Sequence, residues 1–129
     1  MDNLTLKEAY AAMYVFLEKR YNQTKSDDIG GMLGDMSFLQ DGSTADPATW
    51  GDWLKSIGLG KNQITVTEAY AAMQTFVVKC YSWTDIAKKF NSASVLPDGK
   101  PIDSAIWEDW LKCIEVAKAG NVDMDLHLK

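Results

Sequence analysis

The chain contains the same pattern twice. Residues 4–21, LTLKEAYAAMYVFLEKRY, align with residues 64–81, ITVTEAYAAMQTFVVKCY, at ten identities in eighteen positions. A second block, DGSTADPATWGDWLK at 41–55, aligns with DGKPIDSAIWEDWLK at 98–112 at nine identities in fifteen. The offsets are 60 and 57 residues, so the stretch between the blocks is three residues shorter in the second copy. A period near 60 is longer than the common solenoid periods, and two copies are fewer than the roughly three that a stacked array needs. The pattern therefore predicts an all-α, single compact domain built from two tandem, pseudo-symmetric three-helix units, residues 4–58 and 64–120, followed by a tail at 121–129. Only the short SIGLGKNQ lies between the units, and 129 residues suffice for a core without metal or disulfide staples.

Each unit reads as three helices. The first opens with a capping box, Thr5-x-x-Glu8 and again Thr65-x-x-Glu68, in which the hydroxyl takes an orphan amide and the carboxylate reaches back to the N-cap amide. Ala9, Met13, Phe16 and Leu17, matched by Ala69, Met73, Phe76 and Val77, recur at helical spacing and predict the core stripe. The third helix follows an Asp-Gly turn, with Asp46 or Asp103 expected at its N-cap and Pro47 at its first position. It carries Trp50, Trp53, Leu54 and Ile57, matched by Trp107, Trp110, Leu111 and Ile114, and Gly58 and Gly120 are the expected stops.

The middle segment is where the copies part. Unit one has TKSDDIGGMLGDM at 24–36, with Ser26 as a cap, Asp27 and Asp28 in the first turn, and Ile29, Met32, Leu33 and Met36 as a thin apolar face. Gly30 and Gly31 each cost about 1 kcal/mol in a helix interior, so the helix starts later or bends unless something packs close. Unit two offers Thr84, Asp85, Ile86, Lys88, Lys89 and Phe90, a shorter and basic version.

The residue inventory argues against catalysis. The only histidine is His127, near the chain end, and Asp123, Asp125 and His127 would need an ordered extended strand to hold a metal. Neither GxxxxGK[ST] nor GxGxxG occurs, and DGSTAD lacks the alternating oxygen ligands of a calcium loop. Cys80 and Cys113 have no partners at ligand spacing and read as free thiols packed as small apolar groups. No cofactor is expected. The net charge of −5 disfavours nucleic acid and suits a basic protein partner, while no apolar run is long enough for a membrane span. The opening MDNLTLKEAY lacks the pattern of a secretory signal, which together with the thiols gives the expectation of a cytoplasmic monomer.

Asp27, Asp28 and Asp35 thus stand out as acids without repeat counterparts. Residues repeated in both units serve the packing that both must build, whereas these three are freer to meet a partner. The stretch from Glu8 to Leu54, with EAYAAMYVFLE, TKSDDIGGMLG and DGSTADPATWGDW in that order, resembles small bacterial immunity proteins of the contact-dependent growth inhibition type. The second unit keeps EAYAAM and W-x-DW and lacks SDDIG. The resemblance implies a stoichiometric antidote that binds and neutralises a delivered toxin domain, often a nuclease. On that reading Asp27, Asp28 and Asp35 are the toxin contacts. The alternative is a helical adaptor that takes a peptide in an apolar groove between the units.

Overall fold

The structure, a computed structural model, describes residues 3–39, 44–58, 62–81, 104–120 and 122. Among them are five helices and one antiparallel ribbon, in the order β1 (Asn3–Thr5), α1 (Leu6–Thr24), α2 (Asp27–Met36), α3 (Thr49–Ile57), β2 (Gln63–Thr65), α4 (Val66–Cys80) and α5 (Ser104–Lys118). The basic middle segment of unit two, Asp103, both Asp-Gly turns and the tail acids with His127 lie outside the described residues.

Both capping boxes form. Thr5 Oγ1 accepts from the Glu8 amide at 3.0 Å while Glu8 Oε1 accepts from the Thr5 amide at 2.9 Å, and Thr65 with Glu68 repeats this at 3.1 and 3.0 Å. The ribbon is a consequence that the helix pattern does not announce. Each capping threonine is extended, with φ/ψ of −68/160° at Thr5 and −78/166° at Thr65, so the residues before each helix arrive as strand. The two strands pair with Leu4 opposite Ile64, Asn3 opposite Thr65 and Thr5 opposite Gln63. Leu4 and Ile64 are buried, which closes the core at that end.

The predicted stripes of α1 and α4 are all buried. Beyond them α1 is buried continuously from Ala9 to Leu17, on every side of the helix. A helix apolar all round is a core helix, and here both α2 and α5 pack against it. The matching turn of α4 carries Gln74 and Thr75 where α1 has Tyr14 and Val15, and those two are only half-buried. The copies thus differ in depth: α1 is central and α4 has an outer face.

The third helices cross between the units. α5 packs along α1, and α3 along α4. Trp53 and Trp110, both fully buried, sit at these crossings. The Trp53 indole N–H donates to the Leu6 carbonyl at 3.3 Å, within its own unit, while its ring meets Phe76 of the other edge-on at a centroid distance of 6.0 Å. Trp110 donates to the Val66 carbonyl at 3.1 Å and meets Phe16 at 6.0 Å. Tyr10 adds a second edge-on contact to Trp53 and Tyr70 one to Trp110.

The third helices depart from the sequence expectation in two ways. α3 starts at Thr49, because Asp46 Oδ1 takes the Ala48 amide at 3.0 Å and closes a turn first; Pro47 belongs to that turn. Leu54 is half-buried and Leu111 is exposed, since the crossings leave those sides of α3 and α5 uncovered by described residues. Gly58 and Gly120 do stop their helices with positive φ, 110° and 78°, a region that glycine enters without strain. The buried indoles give a direct test: Trp53→Ala and Trp110→Ala should each destabilise by about 3 to 5 kcal/mol in denaturant unfolding. A change under about 0.5 kcal/mol would mean an exposed ring.

Candidate partner-binding site

α2 begins after a tight reversal at the end of α1. Lys25 takes the left-handed conformation, φ 54° and ψ 31°, and its amide donates to the Tyr21 carbonyl at 2.6 Å. Thr24 Oγ1 donates to the Arg20 carbonyl and accepts from the Ser26 amide at 3.2 Å, which turns the chain into α2. Ser26 occupies the N-cap position without a side-chain capping bond, so the negative groups at this helix start are the carboxylates of Asp27 and Asp28. Both are exposed.

The inner face, Ile29, Met32, Leu33 and Met36, is buried as the spacing predicts. Both glycines are helical, and at Gly30 something does pack close: a Cβ there would stand 3.1 Å from the Tyr21 ring. At Gly31 a Cβ would meet nothing within 4 Å. The far end of α2 is pinned by polar groups. Tyr10 Oη donates to the Met36 carbonyl at 2.6 Å and Ser37 Oγ to the Leu33 carbonyl at 2.8 Å.

Asp35 belongs to that far end, about 10 Å along the axis from Asp28 at 1.5 Å per residue. It is half-buried, and its Oδ2 accepts from Tyr81 Oη of unit two at 3.1 Å. Its carbonyl accepts from the Asp46 amide at 3.2 Å. The structure therefore brings Asp27 and Asp28 together in one exposed turn and sets Asp35 apart, in contact with the other unit.

Around Asp35 opens a cavity of about 490 Å³, lined by Asp46, Asp52, Lys55, Lys79 and Tyr81 among others. Burial, with the Asp35 charge and hydrogen bond behind it, pushes the Tyr81 phenol well above its ordinary value. Cys80 beside it is also raised, by burial and then by the charge and hydrogen bond of Asp52. A thiol held protonated in this way is a poor nucleophile. Among the described residues, no group of three or more His, Cys, Asp or Glu side chains is arranged to hold a metal. Sequence reasoning takes Asp46 only as a helix cap and does not single out Asp52 or Tyr81. All three recur in the second copy or match a residue there, as Asp103, Asp109 and Tyr21, and repetition marks them as scaffold.

A second concavity, about 350 Å³, lies between α1 and α5 and is lined by Lys7, Ala11, Phe38, Ala117 and Val122 among others. Two exposed apolar side chains, Leu39 and Val116, are chain neighbours of Phe38 and Ala117 on its wall. Comparison with protein-family models, with curated proteins and with solved structures finds no match. No helix among the described residues is long and apolar enough to cross a membrane.

Two outcomes follow from this geometry. Gly31→Ala should raise stability by about 0.5 to 1 kcal/mol through helix propensity, while Gly30→Ala should gain less or lose, because the Tyr21 ring must give way; thermal melts compare them. The second concerns alkaline pH. Cys113 is buried and its thiol is pushed up to about 11 from 9.0, chiefly by burial. Between those values the folded chain keeps a proton that the unfolded chain loses, so stability is full below about 9 and falls as pH rises toward 11. Tyr10 and Tyr81, also raised, add to the loss at higher pH. Denaturation across pH 8 to 10 should therefore show a flatter profile for Cys113→Ala than for the natural chain.

Proposed function

We propose that the chain is an immunity protein of the contact-dependent growth inhibition type, which binds and neutralises a basic toxin domain through the acids of α2. The observation that carries this reading is the placement of Asp27 and Asp28. They share one exposed turn at the start of a helix whose opposite face is anchored in the core, so the charges are held on a fixed support. Fixed, exposed charge of one sign steers an oppositely charged partner and sets its register. Asp35 joins as a flanking contact on the lining of the cavity, with the Tyr81 hydroxyl donating to its carboxylate. The activity is binding, with no chemistry of its own and no cofactor. The working compartment is the cytoplasm, where a delivered toxin would act.

The same reading takes residues 4–58 and 64–120 as two tandem three-helix units about an approximate two-fold. Its support is the repetition of contacts: the two capping boxes, the two indole bonds to Leu6 and Val66, and the two crossings of Phe with Trp. Superposing the first and third helices of the two units in an experimental structure tests it.

A second reading has one observation in its favour, the groove between α1 and α5 with Leu39 and Val116 beside its walls. It makes the chain an adaptor for a peptide or partner helix. The two part in one experiment, in which Asp27→Asn/Asp28→Asn and the triple variant with Asp35→Asn are assayed against toxin domains encoded beside the gene. Loss of about 2 to 5 kcal/mol per desolvated ion pair and lost protection of cells are the expected result, with folding of each variant checked separately by melting. Full protection at unchanged affinity would remove α2 from the interface.

A further inference from the structure

The contacts between the repeated halves come in matched pairs. Leu4 faces Ile64 at the centre of the ribbon, and these are equivalent positions in the two copies; the flanking pairs, Asn3 with Thr65 and Thr5 with Gln63, are one pair read in both directions. Phe16 meets Trp110 and Phe76 meets Trp53, each at 6.0 Å, again one contact made twice. Contacts in which i meets j and the copy of j meets the copy of i are the isologous kind that joins two copies of one chain.

Each half also lacks something that the other supplies. Unit one has the acceptor for its own Trp53 indole, the Leu6 carbonyl, and one edge-on ring, Tyr10, but the second edge-on ring comes from Phe76. Its central helix α1 is buried on all sides only because α5 lies along it. Without unit two, Leu4 would lose Ile64, Phe16 would lose Trp110 and Asp35 would lose Tyr81. A half of this size is in the range where a chain buries only about 60% of its surface and is marginal even with a complete core.

We infer that neither unit holds its core alone: each is an open half-domain whose obligate partner is the other, and the chain is a dimer joined by a linker. The inference rests on the two-unit reading above and is independent of the toxin. Failure of the two-fold itself shows separately, in the superposition of the halves. The test uses the full chain with a specific protease site placed at residues 59–61 and cut after folding. Native mass spectrometry should find both fragments in one particle with unchanged helicity, and melting should depend on concentration in the cut protein and not in the uncut chain. Phe76→Ala in the cut protein should weaken association about a hundredfold or more, the equivalent of truncating a buried phenylalanine. Fragments that part and lose their helicity on dilution give the same answer. Fragments that part as two folded helical monomers, or a Phe76→Ala change without effect on association, overturn it.

Discussion

The indole N–H of a buried tryptophan must find an acceptor, and in this chain that requirement ties the two repeats together. A fully buried donor left unpaired costs about 1 to 3 kcal/mol, so Trp53 and Trp110 can be buried only where a carbonyl is within reach. Each finds one at the first residue of a capped helix, Leu6 or Val66, where the capping threonine has fixed the chain's entry. With the indole nitrogen committed there, the ring is left to meet the other unit, against Phe76 or Phe16. The cap, the indole bond and the crossing of third helices are thus one linked arrangement. Disturbing the cap would move the acceptor, and moving the acceptor would unseat the ring that joins the halves.

The ribbon belongs to the same arrangement. Because the capping residues are extended, the strands before them are delivered side by side, and burial of Leu4 and Ile64 fixes their register. A slip of one residue would turn both apolar side chains outward and bring polar neighbours into the core. Three residues per strand would not hold in isolation; here they are held by the helices that follow them.

The candidate site uses what this scaffold leaves over. α2 spends its apolar face on the core and its far end on the carbonyl and hydroxyl bonds from Tyr10 and Ser37, so its first turn is presented on a support with little freedom. Of the three acids proposed as partner contacts, two stand in that turn. The third, Asp35, shows how uneven the division between scaffold and surface is, since one carboxylate both lines a cavity and accepts a bond from the other unit.

What lay within a turn or two of chain was legible in the sequence: the capping boxes, the buried stripes of α1 and α4, the apolar face of α2 and the glycine stops. These are decided by local geometry, by hydroxyls and carboxylates three residues apart and by side chains that recur every three or four. The sequence could not tell which first helix each third helix would lie against. Both first helices carry EAYAAM, so the tryptophan stripe fits either, and only the closure of the whole core sets α3 on α4 and α5 on α1. The same reason hid the Asp35–Tyr81 bond, whose partners are 46 residues apart, and the exposure of Leu111. Periodicity names the face a helix must bury, but which neighbour buries it, and which side is left over, is settled by long-range packing between elements whose local signals are alike.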